Sequence, residues 1–151
     1  MSMQHRRPIL GMFLGMTLLT QASAMQKVPV QMDEKLNLPA NAMACLGVLK
    51  SAPKFLAEPD GLYTGVHDAS ERLAAEATIN TVIERVEELL PGAPTKGAVL
   101  REFSLGLSRI TLSDTEDREQ AALYMEHIMD CVGMESSDGV LNTWMYGFDP
   151  T

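Results

Sequence analysis

The chain contains two cysteines, Cys45 and Cys131, and what they do depends on the compartment in which they meet oxidant. The first 24 residues read as an export signal. Arg6 and Arg7 form a positive n-region, Ile9 to Leu19 a short apolar stretch, and Ala22-Ser23-Ala24 a small-x-small cleavage site. The apolar stretch, broken by Gly11 and Gly15, is too short for the roughly 20 residues that a spanning helix needs. An acylated anchor would need a cysteine at the cleavage point, where Met25 stands. The expected product is a periplasmic or secreted chain, Met25 to Thr151, with no membrane anchor. In an oxidising compartment a lone pair of thiols most often forms one disulfide. The bridge would close an 86-residue loop, which on the loop-entropy argument stabilises by about 4 to 5 kcal/mol. Against a net domain stability of about 5 to 15 kcal/mol, that is a large share. A redox-active pair would sit closer together, as C-x-x-C, and a zinc site needs more ligands than two distant thiols.

Helical periodicity fills the space between the cysteines. Residues 25–36 carry Pro29 and alternate loosely, which predicts an extended arm. A first helix is expected to begin near Asn37 or Leu38 with Pro39 in its first turn. Its stripe is Leu38, Ala42, Cys45, Leu46 and Leu49, and Pro53 ends or kinks it. Pro59-Asp60-Gly61 marks a turn. Asp68 and Glu71 fit a capping box for a second helix. Its apolar face is Ile79, Val82, Ile83, Val86, Leu89 and Leu90, with Glu84, Glu87 and Glu88 turned to water, and Pro91-Gly92 stops it. Thr95 caps a third helix that buries Val99, Leu100, Phe103, Leu107 and Ile110. Gly106 inside it costs about 1 kcal/mol unless it permits a close helix crossing. A second capping box, Ser113 to Glu116, opens a fourth helix that carries Ala121, Tyr124, Met125, Ile128 and Val132 inward and stops at Gly133.

Four amphipathic helices joined by short loops predict an all-α fold, a small four-helix bundle over 37–133. In an up-down bundle the first and fourth helices are antiparallel neighbours, which brings Cys45 level with Cys131. The tail, 134–151, is expected to be extended. There Trp144, Tyr146 and Phe148 alternate and would share one face of an extended segment. That face would pack on the bundle, present aromatic anchors to a partner, or exchange between two copies in a homodimer.

Charge excludes several partners. Residues 1–24 hold two of the 12 basic residues and none of the 20 acids, so the remaining chain carries a net charge of −10. Nucleic acid and anionic membranes would repel it, whereas a basic protein would be attracted. The sequence also lacks the Ser-x-x-Lys, G-x-S-x-G, H-E-x-x-H and phosphate-loop patterns. His67 precedes the second helix, and His127 lies on the polar side of the fourth beside Glu126. Met125, His127 and Met129 have the softness of a copper site. Met125 and Met129 fall on the apolar face, though, as gap-filling core, and His127 points elsewhere. No enzyme, metal or cofactor is therefore expected.

Protein binding is the class that remains. The layout, with Ala44-Cys45 in the first helix and Asp130-Cys131 in the last, resembles the periplasmic immunity proteins of type VI secretion amidase effectors. The resemblance implies a non-enzymatic inhibitor that neutralises a cell-wall-cleaving effector, and the acidity of the chain suits a partner that is a basic exported enzyme. It carries over no inhibitory loop and no partner-binding residue. From the chain itself, the 58–68 loop and the tail are the expected interface, with Asp60, Tyr63, His67, Trp144, Tyr146 and Phe148 as its candidate residues. The alternatives are an acid-stress holdase chaperone and an accessory subunit of an envelope secretion machine.

Overall fold

The computed structural model describes residues 34–59 and 61–147. The expected signal and most of the expected arm (25–36), together with Asp60 and Phe148, lie outside the described residues. The described residues form five α-helices: α1 (Ala42–Ser51), α2 (Ala69–Leu89), α3 (Lys96–Leu107), α4 (Thr115–Val132) and α5 (Val140–Tyr146). No strand occurs among the described residues. A single antiparallel bridge, Lys35 with Thr95, ties the end of the arm to the start of α3. No helix of the described residues is long and apolar enough to cross a membrane.

The chain from α1 to the following loop runs antiparallel along α4, and three ties record the register. Cys45 is joined to Cys131 with a Cα–Cα distance of 5.5 Å. Ten residues later the Phe55 N–H donates to the Tyr124 hydroxyl at 2.9 Å, with the two rings edge to face. The Tyr63 hydroxyl then donates to Asp117 Oδ1 at 2.6 Å. Residue numbers rise on one side as they fall on the other. The disulfide expected from the sequence is the first rung of this ladder.

The core follows the predicted stripes. Leu46, Ile79, Ile83, Val86, Val99, Phe103, Met125, Ile128 and Val132 are fully buried. Asp68 accepts from the Glu71 N–H, and Thr95 accepts from the Ala98 N–H, as expected of N-caps. Gly106 lies where α3 crosses α2. A Cβ placed on it would fall 2.2 Å from Val82 Cγ2, so only a hydrogen fits.

Four details differ from the sequence reading. Helix α1 starts at Ala42 rather than near Asn37 or Leu38. Leu38 precedes a proline, whose ring pushes it out of the helical region, and the Ala42 N–H bonds back to the Pro39 carbonyl to close a turn. The cap of α4 is Asp114, not Ser113: its carboxylate accepts from the Glu116 N–H at 2.9 Å. Glu87 is not turned to water, because it pairs with Lys50 of α1 at 2.7 Å. The fourth difference is the tail, which is helical over Val140–Tyr146 and not extended. Gly139 and Gly147, which argue against a continuing helix, have φ of 80° and 77° and form the two ends of a new one. The bundle is thus closed by a fifth, short helix packed on α3 and α4.

Candidate functional site

Consider first the residues expected at an interface. Tyr63 is only 6% exposed, and its bond to Asp117 fixes the 58–68 loop onto the first turn of α4. Burial, and then the donation to Asp117, push the Tyr63 phenol well above the usual tyrosine range. It is a structural tie rather than an anchor waiting for a partner. His67 is exposed, ahead of the α2 cap. Trp144 is half-buried: its Nε1–H donates to the Leu107 carbonyl at 3.1 Å, and the Arg118 guanidinium lies 4.9 Å from its ring centre. Arg118 also donates to the Trp144 carbonyl at 2.5 Å. Tyr146 is 57% exposed. In an extended strand Trp144 and Tyr146 would share a face, but two positions on a helix lie about 200° apart. Trp144 therefore closes the bundle while Tyr146 faces outward.

The loop and the tail nevertheless reach one place. Tyr63 binds Asp117 and Trp144 is gripped by Arg118, neighbouring residues in the first turns of α4. The outer surface of α4 itself went unremarked in the sequence reading. Glu116, Glu119, Leu123, Glu126 and Asp130 recur at alternating intervals of three and four, and all five are exposed. Spacing alone would have shown this stripe. Beside it runs a groove of about 260 Å³ between α4 and α5. Ala122, Leu123, Leu141 and Met145 supply apolar lining, Glu119 and Glu126 line it as well, and Tyr146 contributes an aromatic ring.

Electrostatically this face lacks the ion pairs that tie several acids of α2. On α2 three of the five acids are ion-paired, Glu76 with Arg72, Glu87 with Lys50 and Glu88 with Arg85, at 2.7 to 3.0 Å, while Glu71 and Glu84 are not. A cleft of about 530 Å³ between α2 and α3 holds Arg85 and Arg109 together with Glu88 and Glu102, so its charges balance internally. Among the described residues, Glu116, Glu119, Glu126 and Asp130 have no ion-pair partner.

One buried charge also escaped the sequence reading. Lys54 is 1% exposed, and its Nζ donates to the carbonyls of Leu49 and Ala52 at 2.8 and 2.9 Å. It satisfies the carbonyl end of α1 in place of water. Burial lowers the Lys54 pKa, and Glu76 opposes that shift. A lysine one residue after a helix-ending proline was the available signal. Met125 and Met129 are buried in the core, while His127 is exposed and lies edge-on to Tyr124. Among the described residues no group of three or more His, Cys, Asp or Glu side chains is placed to hold a metal ion.

Fold and surface together define a small all-helical domain, closed by a disulfide and bearing on α4 an acidic and apolar face whose carboxylates have no ion pair among the described residues. The chain belongs to the family described as Domain of unknown function (DUF4844), which matches residues 37–149. The match takes in the tail helix as well as the bundle. The chain is also similar to a solved structure, a DUF3571 family protein from Acinetobacter baumannii AYE, at 36% sequence identity and a TM-score of 0.64. That similarity covers 70% of this chain and 89% of the other. No curated protein matches.

Proposed function

We propose that this protein is an exported, non-enzymatic protein-binding module that acts as an immunity or inhibitor protein toward a cell-wall-cleaving effector. The observation that carries the reading is the unpaired acidic stripe of α4 beside the apolar α4–α5 groove. Such a face steers a basic protein toward it and offers apolar contact once the two have met. The Cys45–Cys131 bridge supports placement outside the cytoplasm, where disulfides persist. A domain pinned at both ends loses little freedom on binding, which favours tight association. Of the expected interface residues, exposed His67 and Tyr146 remain available to a partner, whereas Tyr63 and Trp144 serve the fold.

The test is enzymatic. The oxidised chain lacking residues 1–24 is mixed with each exported wall hydrolase of the cells that make it, and peptidoglycan cleavage is followed by dye release. Equimolar inhibition supports the proposal. Full cleavage in the presence of excess protein counts against it.

A further inference from the structure

We infer that the α4–α5 groove docks a cationic amphipathic helix of a protein partner, laid along α4. The inference rests on the reading of this chain as a protein-binding module and narrows it to one face and one partner chemistry.

Three observations on this face converge. The first is periodicity. From Glu116 to Asp130 the stripe covers 14 helical steps, or about 21 Å along the axis. A partner helix with Lys or Arg at similar three- and four-residue spacing can meet successive carboxylates. The second is what the charges do in the free protein. Glu116 with Glu119, and Glu126 with Asp130, are like-charged neighbours at helical spacing and repel each other. Asp130 also stands in the last turn of α4, where the helix dipole disfavours an anion. Cations brought by a partner would relieve both. The internal bases nearest in sequence are occupied or peripheral: Arg118 grips Trp144, and His127 rests against Tyr124. The third is the apolar floor. Leu123 is 37% exposed and stands mid-stripe between Glu119 and Glu126, with Met145 and Tyr146 across the groove. Charge alone would attract any cation. An apolar residue flanked by carboxylates asks for a helix that carries one apolar side chain among its bases.

The experiment uses the oxidised chain without residues 1–24 and two synthetic peptides of about 15 residues, long enough to cover the stripe. One places lysines and a central leucine on one helical face, and the other has the same composition scrambled. Amide chemical shifts map the contact, and titration calorimetry gives the affinity. The expected result is perturbation confined to the outer face of α4 and to α5, with the scrambled peptide at least about tenfold weaker. The Glu119→Lys, Glu126→Lys double variant should also bind at least about tenfold more weakly. These side chains are exposed, and an unchanged near-UV CD spectrum verifies the fold. Equal binding of both peptides, shifts spread over the whole acidic surface, or an unaffected double variant would overturn the inference. Its failure is separable from that of the functional reading. A chain that inhibits the hydrolase but ignores the patterned peptide loses the groove and keeps the function. A chain that binds the peptide in the groove but leaves the hydrolase active keeps the groove and loses the inhibitor role.

Discussion

Replacing Gly106 with alanine sets two calculable effects against each other. Alanine in a helix interior is favoured over glycine by about 1 kcal/mol. The added Cβ, however, would lie 2.2 Å from Val82 Cγ2, whereas carbon atoms attract at about 3.5 to 4.0 Å. Val82 is buried and β-branched, so one side-chain rotamer is strongly preferred in its helix and moving away is costly. The helices must part locally, and such overpacking costs about 1 to 3 kcal/mol. An overlap this deep belongs at the upper end, which leaves a net loss of about 2 kcal/mol and a fall in Tm of about 8 °C. In a Val82→Ala background the nearest remaining atom is the residue 82 Cβ at 3.7 Å, an ordinary contact. There the same substitution should stabilise by up to about 1 kcal/mol, through helix propensity alone. The assay is urea and thermal unfolding of the oxidised chain, followed by far-UV CD, as a double-mutant cycle. An equal effect in both backgrounds, or stabilisation in the native one, would refute the argument.

Three further outcomes follow from individual contacts. Converting both Cys45 and Cys131 to serine opens a loop with a sequence separation of 86 and should destabilise by up to about 4 to 5 kcal/mol, read from the urea midpoint. Lys54→Met keeps the apolar stem but removes the donors to the Leu49 and Ala52 carbonyls. It should cost about 1 to 3 kcal/mol at neutral pH in the same assay. Tyr63 tests the sign of a linkage. Its folded-state pKa is raised, so below about pH 10 both states keep the proton and the stabilisation is complete. Above that pH the unfolded chain loses the proton first, and stability should fall by about 1.4 kcal/mol per pH unit. Tyr63→Phe should be less stable at neutral pH yet lack that alkaline slope; an unchanged slope would show that Tyr63 is not its source.

Much of the fold was legible because local rules and the global arrangement agree in it. The core stripes, the Asp68 and Thr95 caps, the tight crossing at Gly106 and the stop at Gly133 all follow from spacing and residue chemistry. The disulfide was legible from cysteine count and expected compartment together. The tail was not, because two glycines flanking seven residues, Gly139 and Gly147, serve equally as breaks in a loop and as the ends of a short helix. Tertiary contacts decide between those options: the Trp144 indole finds the Leu107 carbonyl, and Arg118 covers its ring. Tyr63 and Trp144 were expected at an interface because exposed aromatics make good anchors, yet each found a partner inside the fold. Lys54 was overlooked because lysines belong on surfaces unless something buried needs three donors. The α4 stripe is visible in the spacing of Glu116, Glu119, Leu123, Glu126 and Asp130, but spacing alone does not distinguish it from ordinary solvated surface. Its distinction is that α2 pairs several of its acids and α4 leaves its stripe unpaired, a contrast that only three-dimensional neighbours reveal.

The proposed role requires a partner held by the outer face of α4. The direct measurement is co-purification from the cells that make the protein, with the oxidised wild-type chain and the Glu119→Lys, Glu126→Lys variant run side by side and stoichiometry read by native mass spectrometry. The expected result is that the wild-type chain retains an equimolar basic exported hydrolase and that the variant loses it at moderate salt. Recovery of the wild-type chain alone, or of the same complex with both proteins, would contradict it.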